Sequence, residues 1–214
     1  PPIALELVAQ LKGYEDVDIR ARVEGYLRSI DYVEGGDVTK GQLLFTIDDL
    51  PYRAALAEAQ ATLARAESSL AKADLDVKRY TPLAAERAVS QAELDNAVAA
   101  KRAATAQVEA ARANLEQARL NLSYTRISSP IHGIAGKAEH KVGDLVGKGD
   151  PTLLTTVSSV DPIRVSVNLP ESDYLRFSRA VASGTSATSG SPPRLILSDG
   201  EVHPYPGKLI FVDR

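Results

Sequence analysis

Two seven-residue hydrophobic repeats, lying in one stretch almost free of Gly and Pro, constrain this chain most. Leu56, Leu63, Leu70 and Val77 fall seven apart, with Tyr52, Ala59, Ala66, Ala73 and Tyr80 between them. The apolar spacing alternates four and three, which is the seam of a coiled coil held for four repeats. A second run follows with Leu94, Lys101, Val108, Leu115 and Leu122, and Ala97, Ala104, Ala111 and Ala118 between them. Lys101 is its one interruption. Ala at alternate seam positions lets two backbones approach closely, so the runs predict a tight antiparallel pair of helices.

The ends of the helices are marked. Asp48 and Asp49 precede Pro51, an N-cap candidate followed by Pro in the first turn. Ser90-Gln91-Ala92-Glu93 reads as a capping box opening the second helix. The segment around Glu86–Val89 then makes the tip, and Pro82 is expected to end or bend the first helix early. Each arm has roughly 33 residues, or about 50 Å. A plain two-helix buttress packed on a larger domain is the alternative. Charged outer faces and the lack of a third apolar face favour the coiled-coil rod.

The segments flanking the helices match each other. VDIRARVEGYLRSIDYVEGGDVTKGQLLFTIDD precedes them and TRISSPIHGIAGKAEHKVGDLVGKGDPTLLTTV follows them. Alternating apolar residues and turn glycines give short strands every eight to ten residues in both. EGGDVTKGQLLFTI and KVGDLVGKGDPTLLTTV carry one phrase: glycine, a polar residue, valine, a second glycine, then an apolar strand. Two such halves are expected to interlock into a flattened barrel.

Composition excludes several roles. A net charge of −3, from 25 basic and 28 acidic residues interleaved along the helices, argues against a nucleic-acid partner. Aromatics are only 5% of the chain, which suits narrow helical seams better than a globular core. There is no Cys, so disulfides and thiolate metal sites are excluded. No run approaches a membrane span. The chain starts at Pro1 without a signal-peptide pattern and stops after the strand-like Lys208–Val212, so it is expected to be a fragment or a processed chain.

Both β-halves resemble the biotinyl/lipoyl domain. A carrier of that family places a modifiable Lys on the turn joining the halves; here the hairpin replaces that turn after Ile47-Asp48-Asp49, and no Lys occupies it. A swinging-arm carrier is therefore the weaker alternative. A lipoyl domain split by a coiled-coil hairpin resembles the periplasmic adaptor, or membrane fusion protein, family of tripartite efflux pumps and type I secretion systems. The resemblance includes NLSYTRISSPIHGIAGK and VDPIRVSVNLPESDYLRF, which look like the family's hairpin-exit strand and its entry into a β-barrel domain. The fold expected is α+β, elongated and multidomain. Residues 15–48 and 125–159 would form the lipoyl-like domain, 49–124 the hairpin with its tip near 82–90, and 1–14 with 160–214 part of the barrel.

The resemblance implies an adaptor of the resistance-nodulation-division type, with no enzymatic activity and no cofactor. Its partners would be an inner-membrane transporter and an outer-membrane channel, joined through a homo-oligomeric ring, hexameric in the assembled pump. The setting would be the periplasm, with an inner-membrane anchor outside this span. An adaptor of an ABC-type exporter or a type I secretion system is the runner-up; the short hairpin favours the efflux reading. The family carries Arg, then Leu four on, then Ser seven further, at the tip that meets the exit duct. Arg79, Leu83 and Ser90 fall at those spacings. Leu83 lies off the heptad seam and is expected as an exposed knob, Arg79 as a partner for carboxylates or carbonyls, and Ser90 has the competing local role of N-cap.

His132, His140 and His203 are scattered without i+4 pairing, so no metal site is expected. The acidic pairs Asp48/Asp49 and Glu171/Asp173 read as caps and surface loop residues, with no nearby base or nucleophile. Beyond the second half, strands are expected at Ile163–Leu169, Arg194–Leu197 and Lys208–Val212, with another at Ile3–Leu11, and ASGTSATSGSPP as a flexible polar loop.

Overall fold

The computed structural model describes residues 7–149, 151–168, 193–197, 200–208 and 210. It divides into two compact units, Gly13–Ile163 and a second made of the flanking segments.

The larger unit holds the two helices and eight strands. In the first half these are β2 (Asp16–Arg20), β3 (Gly25–Ile30), β4 (Asp37–Val38) and β5 (Leu43–Ile47). The helices α1 (Leu50–Ala85) and α2 (Gln91–Ser123) follow. The second half supplies β6 (Arg126–Ser128), β7 (Gly133–Ala135), β8 (Leu145–Val146) and β9 (Leu153–Ser158).

One four-stranded sheet runs β2-β9-β7-β4 and the other β6-β5-β3-β8. Each sheet takes two strands from each half, and all the pairings are antiparallel. Exchanging the halves strand for strand turns the first order into the second. The repeated sequence phrase is therefore a pseudo-two-fold fold, and its burial repeats too. In β5 the sequence Leu43–Ile47 has Leu44, Phe45 and Ile47 buried, and in β9 Leu154, Thr155 and Val157 take the matching places. Val38 of β4 and Val146 of β8, both about 1% exposed or less, close the core from the two sides.

Leu27, Leu44, Phe45, Ile47, Leu154 and Val157 are fully buried between the sheets. Each contributes on the order of 1.5–3 kcal/mol of burial free energy. Tyr32 seals one margin, its ring edge-on to Phe45 with centroids 5.4 Å apart and its hydroxyl donating to Gly136 O at 3.1 Å. Gly147 fixes where the halves touch: its φ is 74°, and a Cβ there would lie 2.1 Å from the Val23 carbonyl oxygen. Only glycine fits both the left-handed backbone and the close approach.

The hairpin enters at the β5–β6 crossover, where Phe45 pairs with Ile127. The seam is the one the repeats describe: Ala73 from α1 and Ala97, Ala104, Val108, Ala111 and Leu115 from α2 are buried. The split lipoyl-like β-domain with an inserted coiled-coil hairpin is thus the observed architecture of this unit.

Two local expectations need correction. Pro82 does not end α1, which continues to Ala85. Proline removes one donor and crowds one carbonyl, and so near the helix end the ladder loses little. Its own carbonyl still accepts from Glu86 N at 3.1 Å, and the Thr81 hydroxyl donates back to Val77 O at 2.7 Å. Asp49 stands at the N-cap position of α1 but makes no side-chain cap bond. Its carboxylate is drawn off to Arg53, 2.6 Å away, while Asp48 Oδ1 accepts weakly from Leu50 N at 3.3 Å.

In the second unit, β1 (Ala9–Gly13) and β10 (Ile163–Val167) form a two-stranded sheet, each strand reaching one residue into the larger unit. The N-terminal strand thus runs later than Ile3–Leu11, whose first four residues lie outside the described residues. Leu169, the last residue of the Ile163–Leu169 expectation, also lies outside them. Arg194–Leu197 holds one isolated bridge, Ile196 to Val202, in place of the expected strand. Lys208 and Ile210 are not in a strand, and residues 209, 211 and 212 lie outside the described residues, as do Glu171, Asp173 and all of ASGTSATSGSPP except Pro193.

Candidate functional site

The hairpin is fixed to the β-domain at its root by bonds from both arms. Ile47 N donates to Thr125 O at 2.8 Å, and Asp48 N to Tyr26 O at 2.9 Å. The Tyr52 hydroxyl, on the first seam position, donates to Glu24 O at 2.6 Å, and burial followed by the Glu24 charge raises its pKa. The buried Thr125 closes α2, its hydroxyl donating to Leu122 O at 2.7 Å. Beside it the Arg22 guanidinium lies 5.3 Å from the Tyr124 ring centroid.

In the half of the arms nearer the tip, Lys101 Nζ meets Asp74 Oδ1 at 2.5 Å, and Lys78 Nζ meets Asp74 Oδ2 at 2.7 Å. Hydrogen bonds from Lys101 first, and then Lys78, hold the Asp74 carboxyl well below the usual carboxylate range, at about 2. Lys101 stands out in the sequence as the break in the heptad, and Asp74 does not. Asp74 stands next to the seam residue Ala73, and only the fold-back of the arms puts it opposite Lys101.

Toward the tip, a groove of about 580 Å³ between the arms is lined by Ala73, Tyr80, Ala97, Ala100 and Ala104 among others. The tip has two ends of different design. Helix α1 finishes with Ala88 N donating to Leu83 O at 2.8 Å and Arg87 N to Ala84 O at 3.0 Å. That pair of bonds is the Schellman arrangement, and the residue in its left-handed position is Arg87, with φ 60°. Helix α2 opens on the capping box read from the sequence. Ser90 Oγ accepts from Glu93 N at 3.3 Å, and Glu93 Oε2 accepts from Ser90 N at 2.9 Å and from Ser90 Oγ at 3.1 Å.

The three expected site residues therefore fall at one end of the hairpin in different states. Arg79 is exposed, with Nη1 3.8 Å from Asp76 Oδ1, a contact too long and too solvated to hold it firmly. Leu83, expected as an exposed knob, is half-buried, since α1 continues past it and the chain folds back over its carbonyl. Ser90 is exposed, and its hydroxyl is engaged in the cap. Arg87 was not singled out from the sequence, because arginine has no preference for left-handed backbone.

Among the described residues no group of three or more His, Asp or Glu side chains could hold a metal ion. His132 is exposed, His140 Nδ1 lies 3.5 Å from Asp144 Oδ2, and His203 stacks obliquely near Tyr205. No helix of the described residues is long and apolar enough to cross a membrane.

Comparison with known proteins agrees with this geometry. Residues 55–125 match the family model described as the alpha-helical hairpin domain of RND membrane fusion proteins. The chain is 38% identical over 213 residues to the multidrug export protein AcrE of Escherichia coli K12, covering 99% of this chain and 55% of that protein. It is equally 38% identical to the membrane fusion protein MtrC of Neisseria gonorrhoeae, covering 99% of this chain and 52% of that protein. The chain thus spans about half the length of the curated relatives it matches. A crystal structure of a MacA–MexA chimera carrying the Pseudomonas aeruginosa MexA hairpin superposes with a TM-score of 0.58. The two are 29% identical, over 91% of this chain and 63% of the chimera. Residues 55–125 thus match an RND membrane-fusion-protein hairpin, and over its whole span the chain is similar to membrane fusion proteins of the resistance-nodulation-division (RND) type.

Proposed function

We propose that the parent protein is a periplasmic adaptor of a tripartite efflux pump, linking an inner-membrane transporter to an outer-membrane channel through its hairpin tip. The observation that carries this reading is the insertion of helices of 36 and 33 residues at a single crossover of a compact β-domain. Such an insertion carries a small contact surface about 50 Å from its root. Similarity to proteins named for multidrug export and membrane fusion supports the same role.

In this reading the adaptor works by assembly, with no turnover of its own. Residues 15–48 and 125–159 form the lipoyl-like base, 49–124 the hairpin, and 1–14 with 160–214 part of a β-barrel domain. Several copies, six in the assembled pump, form the ring, and an anchor outside this span holds it to the inner membrane. Arg79, Leu83 and Ser90 meet the channel, Ser90 while also capping the turn that presents them.

The test is drug susceptibility of a strain lacking the parent gene, complemented by wild type or Leu83→Asp at matched periplasmic levels. The expected result is that the deletion sensitises cells to a broad drug panel and Leu83→Asp fails to rescue. Unchanged susceptibility of the deletion strain would remove the efflux role. Full rescue by Leu83→Asp would move the contact away from this residue.

A further inference from the structure

The tip holds a residue whose backbone and charge both go unexplained by the fold. Seven described residues have positive φ, and six of them are glycines. The seventh is Arg87, at φ 60°. A side chain in that region crowds its own backbone, and helices ending in this motif generally place Gly there. This chain uses glycine at every other such turn. Nothing in the two hydrogen bonds of the motif requires arginine, since both donors are backbone N–H groups.

The guanidinium does not repay the strain inside the protein. Arg87 is exposed, and its side chain has no hydrogen bond or ion pair among the described residues. The carboxylate that opens α2 is occupied elsewhere: Glu93 closes the capping box with Ser90. Its neighbour Glu86 caps α1 through its backbone and makes no ion pair with it. A strained backbone kept at an exposed turn, carrying an unpaired cation, is a feature of recognition sites.

We propose that Arg87 is a partner-binding residue of the tip, its guanidinium clamping a carboxylate on the periplasmic end of the outer-membrane channel. A carboxylate suits the planar donor fork of arginine, which binds both of its oxygens at once. The proposal rests on the adaptor reading above and adds a contact to Arg79, Leu83 and Ser90. It also explains the residue choice: the left-handed cap turns the chain between the two helices, and the exposed side chain at that turn is a cation.

The test separates strain from recognition, because one substitution moves them in opposite directions. Arg87→Gly relieves the backbone, so the purified protein should melt higher, by about 2–4 °C. In the complemented deletion strain the same variant should nonetheless give inhibitory concentrations about fivefold lower than wild type, the loss expected of a partner contact. Arg87→Glu should fall to the level of the deletion, and Arg87→Lys, which keeps the charge and the strain, should recover most of the resistance. If Arg87→Gly and Arg87→Glu both restore wild-type resistance, Arg87 has no role in docking, while the adaptor reading stands. If the deletion itself leaves susceptibility unchanged, the adaptor reading falls and this proposal falls with it.

Discussion

Lys101 and Asp74 face each other across the hairpin at matching distances from its tip, Nζ to Oδ1 2.5 Å. The one cation in an otherwise apolar seam is thus neutralised by a carboxylate from the edge of the opposite arm. The arrangement has a consequence for register. A seam of Ala and Leu that repeats every seven residues looks much the same after a one-heptad slip, so apolar contact alone specifies alignment weakly. A polar residue at a seam position singles out the alignment that satisfies it, at some cost in stability. Lys78 on the same arm completes the clasp at 2.7 Å.

That clasp sets a pH dependence. Hydrogen bonds from Lys101 and then Lys78 lower the Asp74 carboxyl from 3.8 to about 2. A carboxylate lowered in the folded state adds stability above its unfolded pKa, and loses it as pH falls through the folded value. Asp74→Asn should therefore melt below wild type at neutral pH, with the gap closing between about pH 4 and pH 2. Helical circular dichroism during thermal melts across that range checks this. A gap that is constant with pH would assign the loss to packing instead of charge.

Ser90 has two candidate roles that substitution can separate. Removing the hydroxyl in Ser90→Ala should cost about 1 kcal/mol of stability, since Glu93 N loses its acceptor. Aspartate is an equally good N-cap, so Ser90→Asp should recover that stability. If the residue serves docking by shaping the turn, drug resistance should follow the cap and return in Ser90→Asp. A stable Ser90→Asp protein that fails to confer resistance would show that the hydroxyl itself meets the partner.

The β-domain has an equally specific weak point. Gly147→Ala places a methyl group 2.1 Å from the Val23 carbonyl oxygen on a backbone with φ 74°. The backbone conformation alone costs about 1–2 kcal/mol for a residue with a Cβ, and the clash adds to it. Urea unfolding should therefore report a loss of at least about 2 kcal/mol. Gly143→Ala shares the positive φ but has no atom within 4 Å of the added carbon, so it should lose less.

Most of this architecture was readable because it rests on periodicity. The heptads place Ala97, Ala104, Ala111 and Leu115 in the seam, and the repeated phrase places Val38 opposite Val146 in the pseudo-symmetric core. The capping box at Ser90 was readable because both partners lie within four residues. What escaped depends on contacts distant in sequence or on backbone choices that residue type does not announce. Asp74 acquires its meaning only when α2 folds back onto α1. Arg87 adopts a conformation that its side chain disfavours, and Asp49 abandons the cap for Arg53. Pro82 is expected to end or bend α1, yet the helix continues three residues past it, because the loss of one N–H bond is local and the turn that follows keeps the Pro82, Leu83 and Ala84 carbonyls bonded.

The central claim, that the hairpin tip meets an outer-membrane channel, is tested most directly by photo-crosslinking in living cells. A photoreactive amino acid would replace Leu83 in the parent protein, with Glu67 midway along the arm as the control position. The account predicts an adduct at position 83 whose partner mass spectrometry identifies as an outer-membrane channel, and no such adduct at position 67. Channel adducts at position 67 and none at position 83 would contradict it.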